Sequence, residues 1–236
     1  MDERAETAGP ASGGSPAGRG EGEEEVEARL RAAAGAGLRR PVLPVAVEAG
    51  ADVGFSVHET GVGRVLLADG PGRALVASVF VPDDTAVERV LRRLAQQVSP
   101  RVVEAPARTA LVAEQLAQYL AGERRAFDVA VDLVLATPFQ RAVLERLAAT
   151  GYGARTTYGA LARDLGRASA SRAVGAALGA NPVCVLLPCH RVVAGSGALT
   201  GYAGGLDAKR RLLELEGAAP PPPVGRPRAA GTGSGA

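Results

Sequence analysis

Tryptophan is absent from this 236-residue chain, methionine occurs once, and aromatic residues amount to four Phe and four Tyr. Any core must therefore be built from Leu, Val and Ala. Cysteine is nearly as scarce: Cys184 and Cys189 are the only two, beside two histidines. No CxxC pair exists, so a disulfide framework and a structural zinc site are both excluded. On one strand, residues five apart face opposite sides, so Cys184 and Cys189 are not expected to bridge. No apolar run approaches the ~20 residues of a membrane-spanning helix. The N-terminus has neither a basic n-region nor an apolar h-region, so no secretory signal is expected. These absences predict a soluble, cytoplasmic protein of a reducing compartment. Lysine is almost missing too, with Lys209 alone among 27 basic residues.

What is present is unevenly spread. Residues 1–30 carry 3 basic and 8 acidic side chains, whereas residues 137–217 carry 10 basic and 5 acidic ones. The C-terminal part is thus the basic one, as a phosphate-facing part would be. Residues 1–43 are rich in Gly, Ala, Pro, Ser and Glu, and 218–236 in Pro, Gly and Ala. Neither segment can bury enough apolar area to offset its ordering entropy, so both are expected to be disordered arms. Between them the pattern predicts a supporting α/β domain over 44–136 and a second domain over 137–217.

In the first domain, Val53, Phe55 and Val57 alternate with Gly54, Ser56 and His58, a strand pattern that puts His58 on the polar, surface side. Arg64 to Ala68 and Ala74 to Val81 predict two more strands, separated by Gly- and Pro-containing turns. Asp83 or Asp84 can cap a helix running to about Val98. A second helix is expected near Thr109 to Ala121, and an extended segment over Phe127 to Leu135. The second domain opens with three start signals at once: Thr137 as cap, Pro138 at the first helical position, and Gln140 at the capping-box position.

Residues 183–187, Val-Cys-Val-Leu-Leu, read as a strand that Pro188 would stop. Cys189 then lies at a bend next to His190. A cysteine beside a base is a nucleophile; it is also a common small core residue. Spacing alone leaves both readings open. Upstream, Tyr158 to Leu165 and a segment from Ser169 or Ala170 predict two short helices around a Gly166 turn, a helix-turn-helix spacing. The outer side of the second helix offers Ala173, Gly175, Ala176, Gly179 and Ala180, with one long side chain, Arg172. Such a helix can approach closely even in the ~6 Å minor groove, but it lacks the side chains that read base edges.

The words themselves go further. Pro188-Cys189-His190-Arg191-Val192-Val193 resembles the acceptor-cysteine motif of the alkylguanine-DNA alkyltransferase (methylated-DNA–protein-cysteine methyltransferase) family. Thr137-Pro138-Phe139-Gln140, Thr157-Tyr158-Gly159, Arg172-Ala173-Val174-Gly175, Asn181-Pro182, Thr200-Gly201-Tyr202 and Leu215-Glu216-Gly217 resemble the family in register. The resemblance runs from about Thr137 to Gly217 and, more weakly, back to about Val53.

The resemblance implies an α+β fold: a small ribonuclease-H-like domain followed by a winged-helix/helix-turn-helix domain that carries the acceptor. It implies single-turnover repair, in which the alkyl group of O6-alkylguanine, and of O4-alkylthymine, passes to Cys189 without a cofactor or metal. In the family pattern His190 is the base, Glu216 its acid partner, and Asn181 the residue that holds the turn. Tyr202 donates to guanine N3, and main-chain groups near Val192 and Ala203 hold the base edges. Arg172 is the finger that fills the place of a flipped nucleotide, Tyr158 helps rotate the adjoining phosphate, and Ser171, Ala173 and Gly175 complete the DNA-facing surface. The implied partner is double-stranded DNA, bound by a monomer through the minor groove with little sequence preference and nucleoid-associated when bound. Flipping is required chemically, because a stacked base hides its O6 atom from an in-line thiolate.

Three positions depart from the family. Ala203 follows Tyr202 where a hydroxyl is frequent, and Arg211 and Leu215 stand where Trp and His are frequent. The zinc ligands of some members are missing. Two other functions fit parts of the pattern. A non-enzymatic DNA-binding module leaves Cys189 without a role. A Cys–His hydrolase lacks an oxyanion donor and leaves Arg172 unexplained.

Overall fold

The computed structural model describes residues 51–218, which belong to one compact unit. The arms expected at 1–43 and 218–236 lie outside the described residues, apart from Ala218.

Three strands open this part: β1 (Val53–Thr60), β2 (Gly63–Asp69) and β3 (Leu75–Phe80). They form an antiparallel meander. Helix α1 (Asp84–Gln97) follows, and of the two candidate caps it uses Asp83, whose carboxylate accepts from the Ala86 N–H at 2.7 Å. A three-residue strand, β4 (Val102–Glu104), then lies parallel to β1, giving the order β3-β2-β1-β4. Three residues are too few to show alternation, and sequence reading does not find β4. Helix α2 (Pro106–Leu120) starts three residues before Thr109, with Pro106 in its first turn, where a missing N–H costs nothing.

Both faces of this sheet are covered. Val65 and Leu67 of β2 join the core with Val112, Leu116 and Tyr119 of α2, while Leu66 and Ala68 join Val87 and Leu94 of α1. The polar side of β1 consequently faces α2. Ser56 is buried there, 2.5 Å from the Thr109 hydroxyl and 2.7 Å from His58 Nε2. His58 is half-buried rather than on the surface, because a helix covers the face that its alternation assigns to water. The expected extended segment 127–135 reduces to one bridge between Leu75 and Val131. Leu133 and Leu135 instead drop into the two cores.

The helical part is built as its start signals direct. Helix α3 (Pro138–Ala148) has the full capping box: Gln140 N–H donates to Thr137 Oγ1, and Thr137 N–H to Gln140 Oε1. After the short strand β5 (Thr156–Thr157) come α4 (Tyr158–Asp164) and α5 (Ser171–Gly179). Gly166 makes the turn between them at φ +69°, a conformation that favours glycine. A 3₁₀ turn (Cys189–Arg191), β6 (Val192–Val193) parallel to β5, and α6 (Gly205–Leu215) complete the order. The α2-side core continues without a break through Leu144, Leu147, Leu161, Val174 and Leu212. Removing one such side chain would cost ~2–5 kcal/mol. The architecture is mixed α+β, with an N-terminal sheet and a helical C-terminal part. No described helix is long and apolar enough to cross a membrane.

Candidate active site

Between Asn181 and Cys189 the chain makes a compact turn, not a strand. Val183 bridges Ser78 of β3, Cys184 bridges Leu187, and Val185 between them adopts φ +72°. An apolar run of five residues specifies burial but not extension. Here the flanking Pro182 and Pro188 withhold two N–H donors, and the Asn181 side chain supplies the closure. Its Oδ1 accepts from Val183 N–H at 3.0 Å, and its Nδ2 donates to Leu187 O at 2.9 Å and to Cys189 Sγ at 3.3 Å. The expectation that Cys184 and Cys189 face opposite sides is therefore corrected: the fold-back brings both sulfurs to Asn181. Cys184 Sγ donates to Asn181 O at 3.5 Å.

The surroundings of Cys189 favour a thiolate. The neighbouring Cys184 thiol, the hydrogen bond from Asn181 and the nearby Lys209 ammonium together lower its pKa, against the opposing effect of burial. Lys209 is fully buried, and its Nζ donates to Val192 O at 2.6 Å and to Thr200 O at 2.9 Å.

Behind the thiol lies a buried ionic cluster. His190 Nε2 is 2.5 Å from Glu216 Oε1. Arg191 Nε donates to Glu216 Oε2 at 2.8 Å, Gly153 N–H to the same oxygen at 3.3 Å, and the Tyr119 hydroxyl to Oε1. Burial pushes the Glu216 carboxyl up, but the hydrogen bonds from His190 and Arg191 more than offset it and hold the pKa at about 2. An ionised carboxylate only accepts, so Nε2 of His190 carries the proton. Burial lowers the His190 pKa despite Glu216, which keeps the ring neutral. Its Nδ1 thus presents a free lone pair, with no hydrogen-bond partner among the described residues.

In front of the thiol is a cleft of about 650 Å³, within the ~300–1,000 Å³ range of small-molecule sites. Cys189, Thr200, Tyr202 and Ala203 line it together with Tyr158, Ser171, Arg172 and Gly175. The Tyr202 ring stands edge-on to Phe80 of β3 at 5.4 Å and to His190 at 6.3 Å. Its hydroxyl is buried and has no hydrogen-bond partner among the described residues. The Tyr158 hydroxyl is 2.8 Å from Thr200 Oγ1, so it is satisfied locally. Gly204 is required by a close approach, since a Cβ there would lie 2.8 Å from the Phe80 ring.

The expected site residues thus fall into groups. Cys189, Tyr202, Ala203, Arg172, Tyr158, Ser171 and Gly175 meet at the cleft, while Asn181, His190 and Glu216 support the thiol from behind. Ala173 is exposed on α5 outside the cleft lining. Val192 is fully buried and does not line it either. Its N–H donates to Cys189 O, and its carbonyl accepts from Lys209. Sequence reading overlooked Tyr119, Arg191, Lys209 and Cys184. A solitary lysine in an arginine-rich chain and an arginine adjoining His190 were available signals. Nothing local marks Tyr119.

Comparison with known proteins agrees with this geometry. Residues 138–218 match the family model for the DNA-binding domain of 6-O-methylguanine DNA methyltransferase. The methylated-DNA–protein-cysteine methyltransferase of Mycolicibacterium paratuberculosis is 48% identical over 113 residues, which span 48% of this chain and 68% of that protein. Its Mycobacterium tuberculosis counterpart is 50% identical over 103 residues, 44% of this chain and 62% of its own length. Among solved structures, the M. tuberculosis O6-methylguanine methyltransferase superposes with a TM-score of 0.57 at 37% identity, covering 70% of this chain and 93% of that one. The M. tuberculosis protein in complex with DNA gives 0.59 at 36%, covering 70% and 92%. With its acceptor turn, its helix pair and these relatives in agreement, the chain belongs to the methylated-DNA–protein-cysteine methyltransferase family.

Proposed function

We propose that this chain repairs alkylated guanine in double-stranded DNA by moving the alkyl group to Cys189, once per molecule. The observation that carries the proposal is the position of Cys189. It is 6% exposed, opens onto the cleft, is favoured as a thiolate, and is backed by the His190–Glu216 pair. His190 Nδ1 takes the thiol proton through one bridging water, because Nδ1 has no direct partner among the described residues and the sulfur's own hydrogen bond is to Asn181. The sulfur attacks the alkyl carbon in line as the carbon–O6 bond breaks. Guanine leaves with that electron pair, and the proton given up by the thiol balances its charge. Tyr202 hydrogen-bonds guanine N3 and improves the leaving group. The product is a thioether, which thiol exchange does not reverse. The alkyl group is already activated on the lesion, so the reaction calls for no cofactor. O4-alkylthymine presents the same alkyl–oxygen bond and is a second substrate.

Helix α5 enters the minor groove, where its small residues permit close approach without sequence readout. Arg172, exposed on the rim of the cleft, fills the gap left by the extruded nucleotide. The protein acts as a monomer, and residues 44–136 serve as the supporting domain for the alkyltransferase domain at 137–217.

The test is intact mass after incubation with methylated-guanine DNA. A gain of one CH₂, located on Cys189 and abolished in Cys189→Ala while lesion-DNA binding persists, is expected. An unchanged mass with a released product would indicate hydrolysis. Binding without either would reduce the protein to a DNA-binding module.

A further inference from the structure

The second cysteine is held more firmly than a filler residue needs to be. Cys184 N–H donates to Ser78 O at 2.7 Å, and Cys184 O accepts from Ser78 Oγ at 2.9 Å. The neighbouring Pro182 O accepts from Ser78 N–H at 2.8 Å. Three hydrogen bonds to one buried serine of β3 thus fix the backbone on which the Cys184 sulfur is mounted. That sulfur and the Cys189 sulfur share Asn181, one through its carbonyl at 3.5 Å and the other through its side-chain amide at 3.3 Å. Both residues are buried.

We propose that Cys184 is a positioning residue for alkyl transfer, its S–H bonded to Asn181 O in the resting site and turning to the Cys189 sulfur on ionisation so as to stabilise the nucleophilic thiolate. The inference rests on the alkyl-transfer reading of the site. A thiol is a weak donor to a neutral carbonyl but a better one to an anion, because charge assistance roughly doubles the bond. When Cys189 ionises, Cys184 therefore turns its proton from Asn181 O to the neighbouring sulfur. Cys184 cannot compete as the anion: the neighbouring Cys189 sulfur and burial raise its pKa well above the usual range. It stays the proton donor of the pair. The other groups facing Cys189 have separate duties. Lys209 of α6 contributes positive charge, and its Nζ is already bonded to two carbonyls. His190, on the same 3₁₀ turn, bonds Glu216 at the end of α6. Tyr202 lines the same cleft, and its own ionisation is suppressed by burial. Asn181 is thus the neutral donor to the sulfur at rest, and Cys184 alone can join it on ionisation.

The experiment compares the parent chain with Cys184→Ala and Cys184→Ser. Two rates are followed against pH: single-turnover methyl transfer from methylated-guanine duplex DNA, and alkylation of Cys189 by iodoacetamide, located by peptide mass. In Cys184→Ala both midpoints should move to higher pH. Transfer near neutrality should fall roughly three- to ten-fold and converge with the parent at high pH, as a midpoint shift of up to about one unit requires. Cys184→Ser, which keeps a donor, should stay near the parent. An unchanged midpoint in Cys184→Ala, with or without a lower melting temperature, overturns the proposal. So does a Ser variant that behaves like Ala. If the parent takes up no methyl group, the alkyl-transfer reading fails, and the iodoacetamide profiles still decide whether Cys184 tunes the thiol.

Discussion

Arg191 and Glu216 form a buried ion pair at 2.8 Å, and the carboxylate they share with His190 is the hub of the site. Placing the arginine next to the histidine in sequence puts a permanent cation and a neutral ring on one anion. The cation keeps Glu216 ionised, and the ionised Glu216 fixes the histidine tautomer.

One consequence is kinetic. His190→Ala and Glu216→Gln should each slow methyl transfer strongly, by 10² or more if the base contributes as general bases do. The double variant should be little worse than the poorer single one, because the two act as one device. Single-turnover rates that simply multiply would show that the residues work independently.

A second consequence concerns acid stability. The folded Glu216 pKa of about 2 lies below its ordinary 4.5. Its contribution is therefore fully present above pH 4.5 and drains away as pH falls toward 2. On the order of 3 kcal/mol of the parent's stability should be lost across that window through this group. Glu216→Gln should be less stable at neutral pH, since Arg191 is left buried without its anion. It should also show a flatter acid limb in denaturant titrations. Parallel limbs would mean that another carboxylate governs acid unfolding.

Arg172→Ala should separate base extrusion from chemistry. A free benzylated guanine needs no flipping and engages only the pocket around Cys189 and Tyr202. The variant should lose ten-fold or more on duplex DNA, corresponding to ~1.4 kcal/mol, and keep the parent rate with the free base. Equal losses on both substrates would assign Arg172 to the fold instead.

Gly204→Ala tests the support of the Tyr202 loop. Its new Cβ would sit 2.8 Å from the Phe80 ring, so loop or ring must move. Overpacking of this kind costs ~1–3 kcal/mol, and transfer should slow with duplex DNA and free base alike. Adding Phe80→Leu should recover part of the melting temperature. If Gly204→Ala matches the parent in both rate and stability, the Phe80 contact does not hold the loop.

Legibility in the sequence followed the range of the forces involved. The capping box at Thr137, Pro138 and Gln140 is complete within four residues, and it forms as read. The β1–β3 meander is likewise set by alternation and nearby turns. The 183–187 segment misleads because its apolar character records burial, while its shape comes from Asn181 and from Ser78, more than a hundred positions upstream. Nothing in the sequence around Glu216 marks it as buried; it is so because Tyr119, Gly153 and the adjoining His190 and Arg191 converge on it from three separate places. His58 misleads for the same reason, as the helix that covers it comes fifty residues later. Cys189, Tyr202 and Arg172 were legible through resemblance of motifs, not through periodicity.

Strand β3 gives the molecule a common datum. Ser78 grips the acceptor turn, and Phe80, two residues further on the same strand, braces Tyr202. Tyr119 of α2 adds a donor to Glu216. A fragment cut at Ala136 that begins at Thr137 would keep Cys189, Tyr202 and Arg172. It would lose the strand against which the Cys189 turn and the Tyr202 ring are both braced. The matched family model begins at residue 138, yet the contacts that hold Cys189 and Tyr202 in place come from both sides of that boundary.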